Sequence, residues 1–491
     1  MNNNNNKIKS DTEKREIEII TDQVLKKIKP TLGDFKKLRS IENKIKDEIY
    51  SYKISQIVDI KTGGSFAKDT NLRKDMDIDI FILLDKNTNE VDFEKIALDV
   101  GFKCLKNYHP ITRYSEHPYV EGYVFVNNTK EYVRLNVVPC YKVEQGQWKS
   151  SADRSQYHTE YMKKMLTDEQ KNQIRILKAF LKRIGIYGAE LSVGGISGYV
   201  TEVLVLKYGS FKSVLKNISM IEKKGQVIAI DNNTSNNNNN NNNLSESFQS
   251  PLIIIDPVDS NRNLGTAISS ESLSKFIFNA RAFLKKPSIK FFSTNSKKDK
   301  INYAQNLKKI SELLPYIVVL EFKYKNRSAD IIWGQLKKLT LSIARQLNDK
   351  EFEAIKSQCY IYNLNSAKIL FILKFINLSA FFKKTGPSIF MEKEVFQFIE
   401  KNNQKSFIIW IGDDMRILCL KKRNITNAIE FLDRSIRFEK NNLGIPKGLL
   451  PDLEKGFKIH SLNKNKLKNI QNQRIIYDFL LKDMSLFEST N

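Results

Sequence analysis

The stretch Gly63-Gly64-Ser65-Phe66-Ala67-Lys68-Asp69-Thr70, running on to Asp77-Ile78-Asp79-Ile80-Phe81, decides the fold. It follows a β-rich run, Ile57-Val58-Asp59-Ile60. Glycines at this point let the backbone turn tightly and let an anion approach main-chain N–H groups, while Ser65 adds a hydroxyl donor. Further on, aspartates alternate with isoleucines. Strand periodicity then sets Asp77 and Asp79 on one face and Ile78, Ile80 and Ile82 on the other. Each motif alone is ordinary, since Gly-Gly-Ser marks many turns and Asp-x-Asp many solvated strand edges. In this order and spacing they suit divalent-metal phosphoryl chemistry, with hard oxygen ligands for Mg²⁺ beside donors for a triphosphate.

The 491 residues exceed what one compact core holds and imply roughly two to four domains. Lys and Arg number 80 against 55 Asp and Glu, a formal net charge of +25 spread along the chain. A polyanionic partner follows, nucleic acid ahead of a membrane surface, because no basic amphipathic anchor or lipidation motif is visible. Cys104, Cys140, Cys359 and Cys419 lie far apart, which suggests neither a zinc site nor a disulfide framework and fits a reducing compartment. No apolar run is long enough to span a bilayer, and the acidic residues Asp11, Glu13, Glu16 and Glu18 are unlike a transit peptide. The expectation is a cytoplasmic protein without membrane contact, the nucleus being the alternative.

Residues 1–16 are polar, open with asparagines and read as disordered. A catalytic head is expected over 17–150. There Leu38, Ile41, Ile45 and Ile49 mark an amphipathic helix, and Tyr119–Val126 and Tyr132–Tyr141 form a hairpin within a small mixed or antiparallel sheet. A helical domain is expected over 151–287, carrying the stripe Ile174, Leu177, Leu181, Ile184 and a helix over Gly198–Leu206. It is interrupted between 231 and 250 by an insert with eight consecutive asparagines, which cannot build a core. From 288 to 491, β-like runs at Tyr316–Phe322, Ile369–Leu373 and Phe407–Ile411 alternate with helical patterns at Trp333–Leu347 and Asn424–Arg437. The ending 455–491 reads as helical and basic.

Several further stretches carry a family resemblance: His117-Pro118-Tyr119, Val137-Val138-Pro139-Cys140-Tyr141, Ser151–His158, Ile176-Leu177-Lys178, Tyr187-Gly188-Ala189-Glu190, Ser197-Gly198-Tyr199, Asp256-Pro257-Val258-Asp259 with Arg262-Asn263, and Trp333-Gly334-Gln335-Leu336. With these the chain resembles the archaeal-type (class I) CCA-adding enzymes, tRNA nucleotidyltransferases of the polymerase β-like superfamily. The resemblance implies an α+β multidomain fold. Its parts are a polymerase β-like nucleotidyltransferase head, a helical central domain like that of poly(A) polymerase and oligoadenylate synthetase, and a body and tail that grip the acceptor and TΨC arms of tRNA.

Carried over motif by motif, the resemblance makes Asp77 and Asp79 metal ligands and catalytic residues. It makes Ser65 and Lys68 triphosphate contacts, with lysine where the family usually has arginine, so that the bidentate fork is given up. His158, Lys178 and Tyr187 become nucleotide contacts, and Arg262 a reader of the base. The implied reaction is template-independent addition of CCA from CTP and ATP, by in-line attack of the tRNA 3′-hydroxyl on the α-phosphate with release of pyrophosphate. Mg²⁺ is the implied cofactor. Homodimerisation is left open.

One position departs from the family. The third metal-ligand site, just before Val137-Val138-Pro139-Cys140, holds Asn136 instead of aspartate. Strand alternation turns Asn136 to the face shared with Arg134, where a ligand belongs, but a carboxamide supplies one neutral oxygen. Three alternatives stay open: a slow enzyme in which Asp75 assists from the same strand face, a catalytically weak tRNA-binding paralogue, and compensation elsewhere. A further alternative function is another polymerase β-like transferase, such as an oligoadenylate or poly(A) synthase.

Overall fold

A computed structural model describes residues 2–114, 116–125, 132–230, 248–292, 310–325, 327–363, 365–463 and 470–481. The chain divides into two compact units, between Ser296 and Lys297.

The first unit opens with helix α1 (Asn2–Ile28). Its backbone begins inside the stretch that composition assigns to disorder. No glycine or proline precedes the buried residues Ile17, Thr21 and Val24, so nothing stops the helix from propagating back from them. Helix α2 (Leu32–Ser51) starts at a Thr31/Asp34 capping box and buries Leu38, Ile45 and Ile49. Next come β1 (Ile57–Gly63), the single-turn helix α3 (Gly64–Ala67), β2 (Asp77–Asp85), α4 (Glu90–Cys104), β3 (Ile111–Tyr114), β4 (Pro118–Phe125) and β5 (Tyr132–Lys142). The strands form one mixed sheet in the order β1-β2-β5-β4-β3. Its one parallel pair is β2 with β5, which aligns Asp77 with Arg134 and Asp79 with Asn136. Ile78, Ile80, Ile82, Leu135 and Val137 are fully buried against α2 and α4, which leaves the alternate face to the polar residues.

A buried aspartate joins the sheet to the helices that follow. Asp153 accepts four hydrogen bonds, from the Tyr141 and Lys149 backbone N–H groups and from the N–H and hydroxyl of Ser150. The end of β5 and the start of α5 (Arg154–Met165) are thereby fixed together. Then come α6 (Asp168–Arg183), α7 (Gly198–Tyr208), α8 (Phe211–Ser219) and α9 (Ser270–Lys285), with a short parallel pair, β6 (Gln226–Ile228) and β7 (Leu252–Ile254). Phe180, Phe211, Phe283 and Phe291 interlock at the centre of this core, with ring centroids 5.4–6.0 Å apart. The asparagine run lies outside the described residues, as does the tip of the β4–β5 hairpin.

The second unit contains an antiparallel sheet in the order β14-β8-β10-β9, made of β8 (Ile317–Lys323), β9 (Ala354–Asn363), β10 (Ser366–Leu373) and β14 (Phe457–Ser461). Period-two alternation splits β8 between two cores. Val318, Leu320 and Phe322 pack with α10 (Ala329–Asp349) and α12 (Ala428–Phe438), while Ile317 and Val319 pack with α14 (Ile470–Leu480). A smaller sheet, β11 (Phe381–Ser388), β13 (Arg416–Lys422) and β12 (Ile408–Ile411), carries α11 (Glu392–Asn402). The expectation of helix throughout 455–491 is corrected at 457–461. Those residues pair in register with β8, which offers an open edge there. A five-residue helix α13 (Leu450–Glu454) precedes β14.

Among the described residues no helix is long and apolar enough to cross a membrane. All four cysteines are buried and free.

Truncation of Phe180, fully buried at the centre of the aromatic cluster, should remove about 3–5 kcal/mol of stability. Chemical denaturation of Phe180→Ala against the natural chain measures the loss.

Candidate active site

The site lies within the first unit, where the polar face of the sheet meets α5, α6 and α7. Gly64 has φ +67, and a Cβ there would fall 1.9 Å from Asp79 Oδ2. Only glycine lets the turn sit so close over the carboxylate. Ser65 follows in the first turn of α3, half-buried. Asp77 and Asp79 project from β2 on the face opposite the buried Ile78 and Ile80, as the alternation requires. Burial pushes both carboxyls above the usual range. Arg134 opposes this at Asp77 through a paired contact, and the Asn136 amide opposes it at Asp79.

Asn136 Nδ2 donates to Asp79 Oδ1 at 2.8 Å, and its own Oδ1 is buried with no hydrogen-bond partner. The orphaned oxygen beside Asp79, with Asp77 on the same strand face, makes a hard-oxygen donor set, so the residues present fit a divalent cation once the Arg134 contact of Asp77 yields. Across the sheet, Glu121 of β4 stands in register with Asn136 and is tied to Arg113 and Tyr123. Asp75 stands just before β2, its carboxylate bound by Lys182 and still close enough to Asp77 to work against that carboxyl's charge.

Lys68 and Lys178 come together at a residue that the sequence reading missed. Both face Glu202 of α7, whose side chain is 1% exposed. Lys68 Nζ donates to Glu202 Oε2 at 2.5 Å, and Thr70 Oγ1 donates to Oε1 at 2.6 Å. Lys178 Nζ donates to the Thr70 carbonyl at 3.0 Å and lies 3.5 Å from Glu202 Oε1. Burial brings Lys178 down to about 8, with Glu202 pulling the other way. Burial also works against the charge of Glu202, but the two lysines hold it below the usual carboxylate range. Arg175 of α6 clasps the same loop through the carbonyls of Asp69 and Asn71 and the Asp69 carboxylate.

His158 and Arg262 meet at a second residue that was not singled out, Asp256. His158 Nε2 is 2.8 Å from Asp256 Oδ2, Arg262 Nη1 is 3.5 Å from the same oxygen, and Tyr199 stacks on the imidazole at 4.0 Å. Burial lowers the His158 pKa, so the ring is neutral near pH 7 and donates its Nε2–H. His158, Tyr199 and Arg262 line a cleft of about 590 Å³ with Arg154, Ser197 and Asp259, room enough for a nucleoside. Tyr199 also lies under Lys68 Nζ, 5.3 Å from the ring centroid, which links cleft and lysine cluster. Tyr187 stands alongside. Its hydroxyl is next to Gly198, where a Cβ would come within 3.0 Å of it and 3.8 Å of Lys178 Nζ.

Asp256 and Tyr199 were legible only as parts of motifs. Glu202 carried one signal, a lone acid in the apolar run Val200–Leu206.

The fold, with paired strand carboxylates under a Gly-Ser turn, defines a nucleotidyltransferase. A family model described as nucleotidyltransferase domain matches residues 38–158. Two further models match: tRNA nucleotidyltransferase, second domain, over 172–293, and CCA-adding enzyme, C-terminal domain, over 315–461. The CCA-adding enzyme of Methanocaldococcus jannaschii is 32% identical over 464 residues, 92% of this chain and 98% of its own. That of Saccharolobus shibatae is 34% identical over 421 residues, 85% of this chain and 92% of its own. The chain belongs to the CCA-adding enzyme family, archaeal type. Among solved structures, the Cid1 RNA terminal uridylyl transferase aligns with 56% of this chain and 95% of its own, at 14% identity and a TM-score of 0.43.

Gly64→Ala places a methyl group on Asp79 and strains a positive φ. It should cost roughly 1–3 kcal/mol of stability and lower nucleotidyl transfer by about a hundredfold or more. Thermal melts and single-turnover assays on the same preparation read the two effects separately.

Proposed function

We propose that this protein adds CCA to the 3′ end of tRNA without a nucleic-acid template, using CTP and ATP and releasing pyrophosphate. The observation that carries the reading is the intact pair Asp77 and Asp79, held against the Gly63–Ser65 turn beside a basic nucleotide-sized cleft, in a chain related to CCA-adding enzymes over nearly its whole length. In this reading residues 17–150 are the catalytic head, 151–287 hold the nucleotide, and 288–491 hold tRNA. The net charge of +25 suits the phosphate backbone.

Asp77, Asp79 and the Asn136 Oδ1 would hold the divalent cation. Bound there, Mg²⁺ would acidify the attacking 3′-hydroxyl and offset charge on the triphosphate. Ser65 and the Gly-Ser backbone face the phosphates, and Lys68 and Lys178 supply positive charge to them. Tyr187 flanks Lys178. His158, neutral and fixed by Asp256, orients Arg262 toward the cleft through their common carboxylate partner. A guanidinium there can donate to acceptors on cytosine or adenine, which allows choice of nucleotide without a template.

The Asn136–Asp79 hydrogen bond favours a second reading, a tRNA-binding paralogue with little or no turnover. Asparagine gives Asp79 a partner but brings no charge to a cation. The missing carboxylate is worth up to ~4 kcal/mol, about a thousandfold in rate.

Labelled CTP followed by ATP, offered to tRNA lacking its 3′ end, should be incorporated as three nucleotides and no more. Asp79→Ala should abolish incorporation, and Asn136→Asp should raise the rate between about tenfold and a thousandfold. No transfer by the natural chain, with ready transfer by Asn136→Asp, would establish the paralogue. Products longer than three nucleotides would mark an oligoadenylate- or poly(A)-type synthase.

A further inference from the structure

Lys68 and Lys178 converge on one buried carboxylate, Glu202, and the charge of Lys68 also reaches Asp79. The side chains of Lys68, Lys178 and Glu202 are 7%, 1% and 1% exposed, so water screens little of their interaction. Thr70 is neutral and bonds to both Glu202 and Lys178. The next cation, Arg175, is answered by Asp69. The cluster lies inside the protein, a few residues from the Gly-Ser turn. Tyr199, one turn before Glu202 on α7, carries Lys68 on one side and His158 on the other. One face of one helix thus sets the lysines and reaches the cleft.

We propose that Glu202 is a positioning residue for the nucleotide triphosphate: its carboxylate holds the ammonium groups of Lys68 and Lys178 converged on one point until phosphate oxygens take over their hydrogen bonds. The proposal rests on the function proposed above. Glu202 touches no substrate and acts through the lysines. Thr70 stays bonded to the carboxylate when the lysines turn to phosphate, so the loop after the Gly-Ser turn does not come loose. The groups facing Lys178 are Arg175 from α6, Lys68 and Thr70 from the loop, Glu202 from α7, and the Tyr187 hydroxyl beside Gly198. Of these, Glu202 is the charge that favours the protonated lysine.

The test is CTP binding by the full chain, followed by titration calorimetry from about pH 6.5 to about pH 9.5. In the natural protein affinity should be level at lower pH and fall as pH rises through about 8, where Lys178 gives up its proton. Glu202→Gln keeps the shape and removes the charge. Its affinity should be lower by about tenfold at neutral pH, and its fall should begin at a lower pH than in the natural protein. Glu202→Asp keeps the charge and should leave the fall where the natural protein has it, a separation that loss of packing alone would not produce. Binding by Glu202→Gln within about twofold of the natural protein across the range would overturn the proposal. If Glu202→Gln does not fold, Glu202→Asp decides: an unmoved fall supports the assignment and a fall moved downward refutes it. A natural protein that binds CTP with a flat profile also refutes it. One that binds neither CTP nor ATP removes this proposal and the proposed function together.

Discussion

The docking of one short loop, Lys68 to Asn71, onto the buried charges of α6 and α7 is the constraint on which the rest of the first unit depends. Arg175 takes the loop's carbonyls, Lys178 takes the carbonyl of Thr70, and Glu202 takes the side chains of Lys68 and Thr70. These are interior ion pairs and charge-assisted hydrogen bonds, strong while every partner is present and costly when one is missing. The loop connects the Gly-Ser turn to β2. Fixing it therefore fixes the turn over Asp79 and sets the strand carboxylates relative to the helical part. Asp153 does the same work at the far end of the sheet, joining β5 to the helix that carries His158. The sheet and the helices are separate in sequence and lie in one compact unit, with these two polar joints between them.

A polar site of this kind costs stability, and the sheet behind it supplies the compensation. Every second residue of β2 and β5 is sealed in an apolar layer with α2 and α4, so the register of Asp79 with Asn136 cannot slip by one residue without turning Ile78 and Ile80 to water. The carboxylates are thus held by packing they do not take part in.

The catalytic half of the fold was largely legible in the sequence, because period two and a glycine turn are local signals. The strand faces of Asp77, Asp79 and Asn136 follow from alternation alone. What escaped was charge whose partner lies far along the chain. Nothing near Glu202 in sequence reveals that its partners are Lys68, Thr70 and Lys178, and nothing near Asp256 reveals His158. Asp75 shows the same limit: spacing sets it two residues before Asp77, but nothing near it in sequence reveals that Lys182 binds its carboxylate. In the second unit β11 was missed because Phe381-Phe382-Lys383-Lys384 alternates weakly and runs into Gly386-Pro387, and only the pairing with β13 makes it a strand. β14 escaped in the same way, since five residues between turns gain strand character from the neighbour they meet.

That late strand has a consequence for how the second unit is made. β8 leaves the ribosome early and finds β10 within a few dozen residues, but its other edge waits for Phe457–Ser461 and its second face for α14. Until residues 457–480 have been synthesised, β8 presents a row of unpaired amides and an uncovered apolar flank, the combination that invites pairing with another nascent chain. A chain stopped short of residue 457 would not be a smaller version of this unit but a sticky one. Residues 457–480 thus close both the open edge and the apolar flank of β8.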